Sequence, residues 1–176
     1  MINESFSQKF SKMNELEPLV IEQTNKTPNI DLNHLTGDLI FSGKSIPENA
    51  AKIYEPAFDW ISLYIKTPRP TTNLRLNLEY FNTSSLLWLT KILKELIKIN
   101  TPDAVLIINL YMSVDDFDDI DDFDDIKDAF LPVSNILQSD TLSTGIKLYG
   151  TADNGEIMKE TLVFFEPDQF PGRKTA

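Results

Sequence analysis

The chain has 176 residues, 41% hydrophobic and 24% charged, enough for one folded domain with a self-sufficient core. It contains no cysteine, which excludes thiol catalysis, cysteine-ligated zinc and iron–sulfur clusters. A net charge of −11 argues against binding nucleic acid through its phosphates and against docking on an anionic membrane.

Residues 1–17 are polar, with Phe6, Phe10, Met13 and Leu16 at helical spacing, and predict a short amphipathic arm. Three strand-like segments follow: Leu19-Val-Ile-Glu22, Ile30-Asp-Leu-Asn33 and Asp38-Leu-Ile-Phe-Ser42. Thr36-Gly37-Asp38 reads as the hairpin turn before the third. Ser45-Ile-Pro-Glu48 has the form of a capping box with Pro47 in the first turn. Behind it Ala50, Ile53, Tyr54, Ala57, Phe58, Ile61, Tyr64 and Ile65 make one apolar stripe of helical period. Pro56 interrupts that stripe and predicts a kink or break near Tyr54–Glu55.

Leu74, Leu76, Leu78 and Tyr80 alternate with polar residues, as in a strand. Asn82-Thr-Ser-Ser85 then opens a second amphipathic helix, marked by Leu86, Leu89, Ile92, Leu93, Leu96 and Ile97. Ala104 to Leu110 is nearly all aliphatic and predicts a strand covered on both faces. Together these elements predict a single α/β domain, residues 18–114, with a mixed β-sheet and two long helices packed on it. The unit spanning 74–111 is a right-handed crossover.

From Asp115 to Asp128 the composition changes. Nine aspartates and one lysine form an internal repeat with Phe117, Ile120, Phe123 and Ile126 at every third position. Residues 129–176 form a C-terminal extension, in which a short helix is expected after Pro132. Asp153-Asn-Gly155 between strand-like runs at 146–150 and 157–165 suggests a late hairpin. Residues 166–176 are expected to be loose. The longest apolar-rich stretch, Ala104–Met112, contains Asn109 and falls far short of the about 20 residues a membrane span needs. The N-terminus lacks the pattern of a signal peptide, so a cytoplasmic protein is expected.

Few residues could carry chemistry. His34, the only histidine, has no second histidine to share a metal, and no phosphate-cradling glycine motif is present. No catalytic residue, metal ligand or cofactor is therefore expected. The aspartate repeat leaves an alternative open, an acidic Ca²⁺-responsive binding module using residues 115–128. It lacks the glycine of an EF-hand loop, and its apolar residues break up alternate-position ligands. The strongest candidate is Asn82-Thr83-Ser84-Ser85. Asn, Ser and Thr are ordinary N-caps. The same geometry also offers free amides and the positive end of a helix dipole to an anion. A phosphate placed there would change the surface potential without melting the helix.

The residues in this region resemble a known family. Thr24…Thr27-Pro28, Gly43-Lys-Ser45-Ile-Pro-Glu-Asn49, Tyr54-Glu-Pro56, Trp60…Tyr64 and above all Leu78-Glu-Tyr-Phe-Asn-Thr-Ser-Ser85 look like the SiaC family of bacterial regulatory phosphoproteins. The likeness covers about residues 19–126 and implies a small α/β domain that is not an enzyme. It implies partner switching, as in anti-sigma-factor antagonists. A Ser/Thr kinase would phosphorylate Thr83 and a phosphatase of the PPM type would reverse it, with Asn82, Ser84 and Ser85 as the supporting cap and anion site. One phospho-state would bind a downstream target, in some systems a diguanylate cyclase. The expanded aspartate repeat, the C-terminal extension and the N-terminal arm depart from the family pattern.

Overall fold

The computed structural model describes residues 16–119 and 142–165. Seven strands make one sheet in sequence order: β1 (Leu19–Ile21), β2 (Asn29–Asn33), β3 (Asp38–Ser45), β4 (Thr71–Phe81), β5 (Val105–Ser113), β6 (Ser143–Thr151) and β7 (Ile157–Phe165). β2 runs antiparallel to both of its neighbours, β1 and β3, β3 to β6 run parallel, and β7 returns antiparallel. Helix α1 (Ala50–Tyr64) carries the chain from β3 to β4, and α2 (Thr83–Leu96) from β4 to β5. Successive right-handed crossovers that advance in one direction put their helices on one face. The two helices do pack against each other.

The covered face follows from strand alternation. Leu32, Leu39, Leu74, Ile108, Ile146 and Val163 form one continuous row across six strands, and all are buried. Tyr54, Ala57, Ile61 and Tyr64 of α1 and Leu89, Ile92, Leu93 and Leu96 of α2 close over it. The opposite face is held by polar and aromatic contacts. Arg75 pairs with Asp38 at 3.0 Å, Lys147 pairs with Glu160 at 3.0 Å, and Tyr111 stacks on Tyr149 at 4.7 Å.

The predicted α/β class, the mixed sheet and the two long helices are all present. So is the late hairpin, whose turn places Gly155 at φ +82°. The early hairpin turn uses Gly37 at φ +79°, where an added Cβ would lie 2.4 Å from the Thr71 carbonyl oxygen.

Two local expectations are corrected. Pro56 does not break α1, which runs unbroken to Tyr64. Proline removes the amide that would bond the Lys52 carbonyl, but Lys52 and Pro56 both face solvent, so water can take its place. Ser45 does not cap α1. The chain stays extended through Ser45, and Asn49 caps instead, its side chain accepting from the Lys52 amide at 3.3 Å. Among the described residues, the helices lie over one face of β5. On the other, the buried Asn109 accepts from the Tyr149 hydroxyl at 3.2 Å.

Of the predicted arm only Leu16 and Glu17 are described. Leu16 packs on the core, and the Glu17 carbonyl accepts from Trp60 Nε1 at 2.6 Å. The aspartate repeat begins as a short helix, α3 (Val114–Asp118), capped by Ser113. Its remainder, the expected helix after Pro132 and the end from 166 lie outside the described residues.

Candidate functional site

The site lies where β3 and β4, paired side by side in parallel, both end. A bulge between Gly43 and Lys44, with Gly43 at φ +84°, brings Ser45 opposite Phe81. The chain then turns from β4 into α2 at Asn82. The Asn82 amide donates to the Ser45 carbonyl at 2.9 Å, and its side-chain Nδ2 donates to the Pro47 carbonyl at 3.3 Å. The start of α2 is thereby fastened to the chain that leaves β3.

Asn82 is the N-cap, with extended backbone at φ −91°, ψ 171°. Its Oδ1 accepts from the Ser85 amide, the Ser85 hydroxyl and the Ser84 hydroxyl, each at 2.9 Å. The amides of Thr83 and Ser84 have no intrahelical acceptor, as in any first turn. No acidic side chain stands in that turn to neutralise the positive end of the dipole.

The three hydroxyls are unequal. Ser85 is fully buried, and its Oγ also lies 3.0 Å from the Ser45 carbonyl. It accepts from Ser45 Oγ at 2.8 Å, and Ser45 Oγ lies 2.6 Å from the buried Tyr54 hydroxyl. Proton count gives these a direction: Tyr54 donates to Ser45, Ser45 to Ser85, and Ser85 to either acceptor at the cap. Burial raises the Tyr54 pKa, with the Ser45 and Ser85 contacts acting the other way, so Tyr54 stays a neutral donor. Ser84 is exposed but turned back to Asn82. Thr83 is exposed, and its hydroxyl has no hydrogen-bond partner among the described residues. Around it Ile46, Tyr80 (70% exposed), Phe81, Leu86 and Leu87 (60% exposed) present large apolar side chains to solvent.

All four residues expected at the site, Asn82, Thr83, Ser84 and Ser85, are thus gathered at one helix start. Ser45 and Tyr54 belong to the same cluster and were not expected there. Their signal was their position inside the conspicuous blocks 43–49 and 54–56. The block 24–28 joins them: the Lys26 carbonyl accepts from the Ile46 amide at 2.9 Å, and Lys26 pairs with Glu48 at 2.8 Å. Blocks far apart in sequence therefore converge on one end of the sheet. His34 lies in the β2–β3 turn. Among the described residues no group of His, Asp and Glu side chains is arranged to hold a metal ion.

A sequence profile described as SiaC family regulatory phosphoprotein matches residues 21–137, more than half of the chain. The chain belongs to the SiaC family. Membership makes it a regulatory protein rather than an enzyme. The fold agrees with solved SiaC structures from Pseudomonas aeruginosa. Apo-SiaC is similar at a TM-score of 0.55 and 21% identity, over 73% of this chain and 98% of that one. SiaC crystallised with the diguanylate cyclase SiaD, as its activator, is similar at 0.56 and 21%, over 72% and 97%. A curated relative, an uncharacterised protein of P. aeruginosa strain UCBPP-PA14, is 32% identical over 71 residues. That match covers 40% of this chain and 56% of the relative, little more than half its length. The family profile stops before β6, so the β6–β7 hairpin lies outside it. No described helix is long and apolar enough to cross a membrane.

Proposed function

We propose that this SiaC-family protein is a cytoplasmic partner switch set by reversible phosphorylation of Thr83. The observation that carries the reading is the inequality of the three hydroxyls. Of the three, only Thr83 is exposed and without a hydrogen-bond partner among the described residues, and it stands on the positive end of α2. A phosphate there adds about −1.5 to −2 charges beside free amides, while the Asn82 and Ser85 contacts that start the helix stay intact. A Ser/Thr kinase would write the mark and a PPM-type phosphatase would remove it. Asn82, Ser84 and Ser85 hold the helix start in place.

The apolar collar of Tyr80, Phe81 and Leu87 supplies contact area for a target, with Thr83 beside it. A phosphate set among apolar side chains must be desolvated when a partner covers it, so the unmodified form is the one that binds. A diguanylate cyclase is the proposed target, because SiaC of P. aeruginosa is crystallised as the activator of one.

Co-expression with the cognate kinase, followed by intact-mass measurement and peptide mapping, tests the site. One phosphate on Thr83 is expected; a stoichiometric phosphate elsewhere refutes it. Pull-downs with T83A and T83D then test the direction, with T83A retaining the target and T83D losing it.

A further inference from the structure

Given Thr83 as the phosphate acceptor, the reading on which this rests, we propose that Asn82 confines phosphorylation to it by withholding the Ser84 hydroxyl from the kinase. Exposure does not separate the two hydroxyls, because Thr83 and Ser84 are adjacent and both are exposed. Burial excludes only Ser85. What separates them is a bond. Ser84 Oγ donates to Asn82 Oδ1 at 2.9 Å, and the Thr83 hydroxyl has no hydrogen-bond partner among the described residues. Phosphoryl transfer from a nucleoside triphosphate makes the Oγ–P bond and breaks the bond from that phosphorus to the leaving diphosphate. The hydroxyl proton passes to a base of the kinase. Thr83 can offer its proton at once, whereas Ser84 must first leave Asn82.

The acceptor has room for that proton. An amide oxygen carries two lone pairs. Three donors lie 2.9 Å from Asn82 Oδ1: the Ser84 hydroxyl, the Ser85 amide and the Ser85 hydroxyl. The Ser85 hydroxyl has a second acceptor in the Ser45 carbonyl at 3.0 Å. When it donates there, the two lone pairs of Oδ1 go to the Ser85 amide and the Ser84 hydroxyl. The other end of the Asn82 side chain is fixed as well. Its Nδ2 donates to the Pro47 carbonyl at 3.3 Å, so the amide cannot turn its oxygen from the serines without losing that bond. The segment between β3 and α1 thereby orients the group that tells the two exposed hydroxyls apart. Asn82 acts as a positioning residue, through Ser84 and not through the transferred phosphoryl group.

Co-expression of full-chain variants with the cognate kinase, followed by peptide mapping, tests this in a T83A background. Ser84 should stay without stoichiometric phosphate in T83A. T83A/N82G removes the acceptor but keeps a residue tolerated at an N-cap, and should raise the phosphate on Ser84 at least about fivefold, the worth of one net hydrogen bond. T83A/N82D keeps the acceptor, since a carboxylate accepts through either oxygen, but loses the Pro47 bond. It should leave Ser84 as in T83A. A merely loosened helix start would open Ser84 in both variants, so equal Ser84 phosphate in the two overturns the proposal. So does a T83A/N82G chain whose Ser84 matches that of T83A. Ser85 reports the fold, and phosphate on it in any variant also refutes the proposal. N82G alone should still take phosphate on Thr83; its loss would make Asn82 a kinase contact instead. A parent phosphorylated away from Thr83 fails the reading of the site itself, whereas a parent phosphorylated on Thr83 with Ser84 closed in T83A/N82G fails this inference alone.

Discussion

Replacing Ser85 with alanine should destabilise the protein far more than replacing Thr83, two residues away. Ser85 Oγ is fully buried and takes part in two bonds at once, one accepted from Ser45 Oγ at 2.8 Å and one donated to Asn82 Oδ1 or the Ser45 carbonyl. Two net hydrogen bonds contribute about 1 kcal/mol each, and a buried donor left without an acceptor costs about 1–3 kcal/mol. The Ser45 hydroxyl becomes such a donor, so S85A should cost about 3–5 kcal/mol. For a chain of this length each kcal/mol lowers Tm by about 2–4 °C, giving a fall of about 6–20 °C. Thr83 is exposed and has no hydrogen-bond partner among the described residues, so T83A should stay within about 0.5 kcal/mol of the parent. Thermal melts and urea titrations of both variants decide this, with intact-mass measurement after kinase treatment below the melting range. S85A should still accept one phosphate and T83A none. If S85A melts with the parent, or T83A falls further than S85A, the division into one buried and one free hydroxyl is wrong.

N82A removes the cap acceptor shared by three donors and the link to Pro47, and should cost about 1–2 kcal/mol by urea midpoint. Y54F should alter the alkaline limb of stability. Burial raises the Tyr54 pKa in the folded state, so its contribution is complete below the unfolded value of about 10 and is lost as pH rises above it. Urea midpoints in alkaline buffers should therefore fall less steeply for Y54F than for the parent, from a start lowered by about 1 kcal/mol for the lost Ser45 bond. G37A forces a Cβ to 2.4 Å from the Thr71 carbonyl oxygen at φ +79° and should cost at least about 1–3 kcal/mol, read as a lower Tm.

Much of this molecule is local physics that a linear reading captures. Apolar spacing of two or of 3.6 residues marked strands and helices, and Asn-Gly and Thr-Gly-Asp marked the turns that need a left-handed residue. Asn82 announced a helix start because its side chain reaches an amide only three residues on. What escaped were choices made between distant segments. Ser45-Ile-Pro-Glu48 is a sound capping box by itself, yet pairing with β4 keeps Ser45 extended. Its hydroxyl then meets Ser85, 40 residues later. Pro56 is tolerated because the turn it weakens faces water, which depends on where the helix docks. The four candidate residues were visible as types; their ranking was not. Solvent exposure, which separates Thr83 from Ser85, belongs to no residue alone and exists only once β3, α1 and α2 have closed around the buried hydroxyls.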